Sequence, residues 1–592
     1  MKFKLLIVLL TLQLVVFGQE PNLYPTNGVK HQAEIYYAFT NATIHISYTS
    51  VIKGTLLIRN GKVEKVGAIV VLPKGTVEVD LKGKHIYPSF IDMYSSYGQP
   101  KEEKKKGSPG PQIESNKKGA FGWNQAIKPE YNSYANFTAN DKSAKSYREQ
   151  GFGTVLSHKM DGISRGTSSL VSLNQGTAGE LLLKPVVAAH SSFSKGSSRQ
   201  SYPSSLMGTI ALLRQTHYDA DYYKDHRGEL PTDLSLIAFQ ENLSLLQIFE
   251  ANDKLNIIRA DKIGDEFGYQ YIFKGKGDEY QRVKEIQAAG GAIIIPLNFP
   301  KPYDVSDPYS SRLVSLAQMK HWELAPGNAK ALADHQIQFA FTLNGLKKKS
   351  EFWKNIRKTV ARGLSADEAL KALTTTPAIL MGVEHLVGEL RPSMLANFLV
   401  TSGEIFEEKT IIYDNWIQGD QYILNPKDVL DVRGTYRLKV EENDRTLKVA
   451  GTLTAPKASI EYDVVTDSIS KSGDLVLDEV NHKPIKTTKK KKVKGLLTVK
   501  DQQVSLSYKI GDEFYALSGV IHSNSGIWEG KGTLPNGVWV KWAAVKKSDY
   551  KDKSKKKPMK MDTMGIGQVT YPMLPYGWDS LPTIRQILIK DA

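Results

Sequence analysis

The chain is 592 residues long, 41 % hydrophobic and 24 % charged, with a net charge of +16 and no cysteine. That length exceeds one ordinary domain, and the composition is globular, so large apolar cores can form. The missing cysteine excludes a disulfide-stapled scaffold and a lipid-modified N-terminal cysteine.

Lys2 and Lys4 precede the apolar run Leu5 to Phe17, and Val16 and Gly18 suit the positions before a cut at Gln19. Residues 1–18 therefore read as a signal peptide. The run is too short to cross ~30 Å of hydrocarbon, and no later segment is apolar for long enough. The expectation is export to the periplasm or beyond, without lipid attachment and without a transmembrane segment.

Residues 19–88 carry strand signals. Thr55 to Arg59 and Val63 to Val66 flank Asn60-Gly61, the pair that tolerates positive φ at both centres of a type I′ turn. Residues 89–385 then alternate strand and helix. An insertion at 101–130, rich in Lys, Gly and Pro and without apolar period, reads as a mobile loop. The alternation is clearest from Leu245: LLQIFEA is a buried strand, Asn252 to Phe267 a helix stopped by Gly268, and YQYIF a strand. AIIIPL and IQFAFT follow as further strands. Ser365 and Glu368 form a capping box for a helix carrying Leu370, Leu373 and Leu380. Repeated β-α units imply a parallel sheet with helices outside, either a (β/α)₈ barrel or a doubly wound sheet.

Residues 386–430 return to strands. Over 431–545, YRLKV, SIEYDVV, VSLSYKI and VWVKW alternate apolar and polar residues, which reads as a small antiparallel β domain, barrel or sandwich. Residues 546–561 form a Lys-rich linker, expected to be exposed, and 562–592 a tail in which Tyr571, Tyr576, Trp578, Leu581 and Ile584 restore apolar character. The positive charge is concentrated in Lys104 to Lys106, Lys347 to Lys349, Lys489 to Lys492 and Lys555 to Lys557. Nucleic-acid grooves interleave arginine and aromatics with lysine, so these nearly pure runs read as solvated loops, and no nucleic-acid partner is expected. Weak attraction to an anionic envelope surface is the functional alternative.

Three segments carry a resemblance. GTLLIRNGKVEKVGAIVVLPKGTVEVDLKGKHIYPSFID, ending at Asp92, is similar to the stretch that leads into the barrel of imidazolonepropionase-like amidohydrolases. LSADEALKALTTTPAILMGV resembles their last barrel helix, and Gly388 to Phe406 their exit segment. The resemblance covers roughly residues 35–425. It implies an α/β fold: a (β/α)₈ barrel with a composite β-sandwich built from both flanks, here followed by the small antiparallel β domain. It also implies one or two divalent metals, such as zinc, at the barrel mouth.

The departures fall on that metal site. Where the family has an H-x-H pair after the first barrel strand, this sequence has Tyr94 and Ser96. Glu250 stands at the histidine of the fifth strand, Lys274 at that of the sixth, and Asn344 at the metal-binding aspartate of the eighth. Metal-assisted hydrolysis needs imidazoles and carboxylates around an ion with one position open to water. Asn344 cannot act as a base, and Lys274 puts a positive charge where a cation would sit. No cofactor, no metal ligand and no catalytic residue is expected, and Tyr94, Ser96, His158, Glu250, Lys274 and Asn344 read as a vestigial pocket. The twelve histidines include no H-x-H, H-x-x-x-H or H-E-x-x-H, although distant ones can still meet in space.

Other residues have bland and functional readings side by side. His158 follows a strand and could face the pocket. Gly162, Ser164, Gly166, Thr167 and Ser168 could form an anion-binding nest, but a tight structural loop is the simpler reading. His190 reads as a hydrogen-bonded structural histidine rather than part of a Ser-His pair with Ser191 or Ser192. Glu250 and Lys274 could simply pair and fill the space of the metal. Three functions stay open: a non-catalytic structural or docking protein (a pseudoenzyme), an active hydrolase of C–N bonds with an unusual site, and an envelope protein that binds a small ligand. The ending Ile589 to Ala592 echoes Phe39 to Ala42, as at the junction of tandem amidohydrolases. That suggests a degenerate N-terminal half, with a metal-dependent amidohydrolase as its partner or missing second half.

Overall fold

The structure, a computed structural model, describes residues 35–101, 110–111, 115, 117–304, 307–426, 430–453, 455–467, 486–522 and 525–550. The expected signal peptide (residues 1–18), the tail 562–592, most of the expected linker, and the runs Lys104 to Lys106 and Lys555 to Lys557 lie outside the described residues.

Strands β1 (Tyr36–His45), β2 (Val51–Arg59), β3 (Lys62–Gly67), β4 (Val77–Asp80) and β5 (His85–Pro88) open the chain. Asn60 and Gly61 take φ of 49° and 72°, as a type I′ turn requires, and Arg59 pairs with Lys62 across it.

The central region holds β6 (Phe90–Ser95), β7 (Phe152–Ser157), β8 (Ser164–Thr167), β9 (Ser169–Ser172), β10 (Leu182–Lys184), β11 (Ala188–Ser192), β12 (Leu246–Glu250), β13 (Tyr271–Lys274), β14 (Ile293–Pro296) and β15 (Phe339–Thr342). They form two sheets, β10-β9-β7-β6 and β15-β14-β13-β12-β11-β8. β6 and β7 run parallel, as do β11 through β15 in succession. The continuous run β8–β9 is antiparallel to both β7 and β11, which departs from a strict β-α repeat. Asp92 on β6 joins the far edges: its carboxylate accepts from the Thr342 hydroxyl at 2.6 Å and from the Leu343 amide at 3.1 Å.

Side chains alternate across these strands. Phe249, Tyr271, Phe273, Phe339 and Phe341 belong to the core shared with the helices, while Ile248, Ile272, Ile294 and Ala340 form the inner cluster. The helix Lys254–Phe267 ends at Gly268 in the left-handed region, with φ 76°, as the sequence suggested. The capping box at Ser365 is only half made. Its side chain accepts from the Glu368 amide, while Glu368 faces Lys371 at 3.3 Å. The helix also breaks at Thr374, before the second helix Thr375–Leu380.

The insertion departs from its expected mobility over residues 117–130. Lys117 pairs with Glu130 at 3.0 Å, the Gly122 amide donates to the Ser235 hydroxyl at 3.0 Å, and Ala126 and Ile127 are buried. Composition hid these contacts because their partners lie far along the chain.

Strands β16 (Phe398–Thr401), β17 (Ile412–Ile417) and β18 (Asp420–Ile423) return to the first sheet, in the order β18-β17-β16-β5-β1-β2-β3 with β4 on β1. This sheet is composite: β16 pairs with β5, and Phe398 stacks on Trp416 at 5.6 Å beside Phe39.

The last described unit is a closed eight-stranded antiparallel barrel, β19 (Gly434–Val440), β20 (Asn443–Gly451), β21 (Pro456–Asp467), β22 (Lys486–Lys500), β23 (Gln503–Ile510), β24 (Glu513–His522), β25 (Ile527–Thr533) and β26 (Trp539–Asp549). Tyr436, Trp528 and Trp542 fill its interior. Lys489 to Lys492 are not a loop. They lie in β22, exposed, with Lys490 opposite Asp463 and Lys492 opposite Glu461. The backbone ladder with β21 holds this lysine run in a strand without an apolar alternation. Lys546 to Asp549, the start of the expected linker, are likewise strand. Among the described residues, no helix is long and apolar enough to cross a membrane.

Candidate functional site

The C-terminal ends of β6, β7, β11, β12 and β13 bring together Tyr94, His158, His190, Ser192, Glu250 and Lys274. The parallel register explains two of these contacts directly: Glu250 stands opposite Ser192 on one side and Lys274 on the other. Lys274 Nζ lies 4.0 Å from Glu250 Oε1 and 5.6 Å from the centre of the Tyr94 ring.

Arg165, on β8, occupies the middle of the group. Its Nη2 pairs with Glu250 Oε2 at 2.7 Å and donates to Ser192 Oγ at 2.9 Å. Nη1 donates to the Tyr94 hydroxyl at 2.8 Å, and Nε to the Gly162 carbonyl at 3.0 Å. The guanidinium is buried, with a side-chain exposure of 3 %. A planar fork with several donors suits this task, which a lysine ammonium would not fill.

The electrostatics follow from these contacts. Burial pushes the Glu250 carboxyl up, but Arg165 and then Lys274 more than offset it, so it stays below the ordinary glutamate range. Burial lowers Lys274, and Glu250 opposes that shift. Burial also raises the Tyr94 phenol, so it is neutral and serves as a hydrogen-bonding group.

His158 and His190 stack face to face, with ring centroids 3.7 Å apart and planes 11° apart, and Tyr94 meets His158 edge-on at 4.4 Å. Both imidazoles are buried, and burial holds both far below their ordinary titration range. His190 is not the hydrogen-bonded histidine the sequence suggested. Neither ring nitrogen of His158 or His190 has a hydrogen-bonding partner among the described residues.

Two expected members stand apart. Ser96 is exposed beyond the end of β6. Asn344 donates to the Met160 sulfur at 3.4 Å rather than facing Glu250. The proposed nest is not formed either. The amides of Ser164, Thr167 and Ser168 donate to the carbonyls of Ala126, Tyr131 and Ala188. Gly162 and Gly166, with φ of 106° and 75°, allow the 126–131 segment to approach: a Cβ on Gly166 would stand 2.0 Å from the Tyr131 carbonyl oxygen.

This donor set does not fit a divalent metal. Its one carboxylate, Glu250, is committed to Arg165, and two cationic side chains surround it. Stacked imidazoles direct their lone pairs in nearly parallel planes, so His158 and His190 cannot converge on one ion. Arg165 is the residue that sequence reasoning missed. Its strand runs against the parallel repeat, so no strand-end position pointed to it.

An amidohydrolase from Thermotoga maritima MSB8 superposes with a TM-score of 0.51 at 21 % identity, over 65 % of this chain and 99 % of that one. This part of the chain has an amidohydrolase fold. A prolidase solved with N-methylphosphonate-L-proline matches 66 % of this chain and 99 % of its own at 13 % identity, with a TM-score of 0.39. A β-aspartyl dipeptidase from Fervidobacterium islandicum AW-1 matches 66 % and 97 % at 15 % identity, with a TM-score of 0.37. No protein-family model and no curated protein sequence matches the chain.

Proposed function

We propose that this chain is an exported amidohydrolase-like pseudoenzyme that docks on, or supports, a metal-dependent amidohydrolase. In this reading the two central sheets are one (β/α)₈-type barrel, joined at the Asp92–Thr342 seam, with one antiparallel stave. The observation that carries the proposal is Arg165. Its guanidinium, held by Tyr94, Ser192 and Glu250, puts a tethered cation at the strand ends where the resemblance to amidohydrolases implies a metal that activates water. An arginine side chain neutralises Glu250 but supplies neither a bound hydroxide nor an open coordination position. The electrostatics of the pocket are kept and its hydrolytic chemistry is lost. Export rests on residues 1–18 and docking on the tail 562–592. The partner is a second amidohydrolase barrel that carries the H-x-H pair this chain lacks.

The test is turnover by the full-length protein on β-aspartyl and Xaa-Pro dipeptides with zinc, manganese or iron added. No hydrolysis is expected above that of an Arg165→Met/Glu250→Gln variant. Metal-dependent turnover that this variant abolishes would refute the proposal. A second reading, binding of a small anion, is favoured by one observation: Arg165 and Lys274 outnumber Glu250 in the pocket. A carboxylate ligand that quenches or shifts Lys274 reactivity would support it.

A further inference from the structure

A second group of metal-ligating side chains lies outside the pocket, on the composite sheet. His45 ends β1, His85 begins β5, and Glu404 follows β16. Sequence gave no hint of it, because His45 and His85 are 40 residues apart and Glu404 comes from the other flank. The sheet itself brings them together: β5 pairs with β1 on one side and β16 on the other.

The distances are those of a coordination sphere. His45 Nε2 lies 3.3 Å from His85 Nδ1, a direct hydrogen bond in the absence of an ion, and His85 Nδ1 lies 3.7 Å from Glu404 Oε1. The two imidazole planes are 27° apart with centroids 5.5 Å apart, so the rings meet through their nitrogens and are not face to face as His158 and His190 are at 3.7 Å and 11°. One ligand atom from each residue lies within 4.8 Å of the others. A tetrahedral zinc with bonds of about 2.05 Å has ligand–ligand edges of about 3.3 Å. Two imidazole nitrogens and one carboxylate oxygen are a common zinc set with one position left for water.

The surroundings are built to orient these ligands. The Tyr87 hydroxyl donates to Glu404 Oε2 at 2.8 Å, which leaves Oε1 toward His85. Tyr87 also stacks on the His45 ring, centroids 3.9 Å apart and planes 16° apart. Outer partners of this kind fix ring and carboxylate orientation. Glu404 and Asp367 give His45 a negative field, and Glu407 adds to it at Tyr87.

We propose that His45, His85 and Glu404 bind one zinc ion, with Tyr87 as the positioning residue, and that the ion clips β1 and β5 to the segment after β16. This site is independent of the pocket around Arg165 and of the function proposed for it. The ion would tie the two flanks of the chain across the composite sheet, a different sheet from the one that holds β12 and β13.

The experiment is zinc titration of the full-length protein by calorimetry, with cobalt(II) substitution read in the visible spectrum. Wild type is expected to bind one equivalent of zinc, to show tetrahedral cobalt bands, and to melt at a higher temperature with zinc than with chelator. Glu404→Gln, at an exposed side chain, and His85→Gln should each weaken binding by at least tenfold. Tyr87→Phe should weaken it about tenfold. Glu250→Gln should bind as wild type does. Each variant is first melted in chelator, which separates lost binding from lost folding. The proposal falls if wild type binds no zinc, if Glu404→Gln and His85→Gln bind it unchanged, or if Glu250→Gln removes it.

Discussion

Replacing Arg165 by methionine tests the pocket most sharply. The change keeps volume and removes four interactions: those with Gly162, Tyr94, Ser192 and Glu250. Among the described residues, Glu250 then keeps Lys274, at 4.0 Å, as its cationic partner. Removing one member of a buried ion pair costs about 3–5 kcal/mol, because the surviving charge stays desolvated. The pH dependence gives the sign. In wild type the Glu250 carboxyl is held below its ordinary range, so its contribution is present above the unfolded value of about 4.3 and is lost only as pH falls through the lower folded value. Wild type is therefore insensitive to this group between pH 5 and 8. Without Arg165, burial raises the carboxyl, and the penalty grows as pH rises. Urea unfolding of both proteins should show the largest difference at pH 8 and a smaller one at pH 5. Adding Glu250→Gln should recover about half the loss or more, a coupling that a double-mutant cycle measures. A loss below about 1 kcal/mol, unchanged between pH 5 and 8, would refute the reasoning.

Three further outcomes follow from the geometry. Burial raises Asp92 to about 6, against the hydrogen bonds from Thr342, Tyr94 and Leu343, so its ionisation in the folded state costs stability as pH rises from about 4 through 6. Asp92→Asn removes that titration but sets an amide against the Leu343 N–H. Its destabilisation in urea should therefore be greater at pH 5 than at pH 8, by about 1.4 kcal/mol. Gly166→Ala forces φ of 75° on a residue with a Cβ 2.0 Å from the Tyr131 carbonyl, and should cost about 3 kcal/mol or more, read as a fall in melting temperature. His158 and His190 are held neutral in the fold, so stability falls as pH drops below about 6.5, where the unfolded chain takes up protons. His190→Phe should reduce proton uptake on unfolding at pH 5.5 by about one, measurable from the pH slope of the unfolding free energy.

What could be read from the sequence was what obeys a local period or a turn rule. Asn60-Gly61 placed the β2–β3 hairpin because its backbone demand is local. Glu250 and Lys274 were found as neighbours because successive parallel strands put equivalent ends side by side. Arg165 was hidden because β8–β9 runs antiparallel where a β-α repeat was expected. Lys489 to Lys492 read as a loop because no apolar alternation marks a strand that is held by its ladder with β21. The composite sheet was expected from three resembling segments, whereas the meeting of His45, His85 and Glu404 on it depends on register, which no local pattern encodes.

Anomalous diffraction at the zinc edge, from crystals of the full-length protein grown with zinc, tests the central claim directly. The account predicts no zinc peak within bonding distance of Tyr94, His158, His190 or Glu250, and Arg165 still paired with Glu250. A zinc ion held there, with Arg165 swung away and Glu250 or either histidine as a ligand, would contradict it.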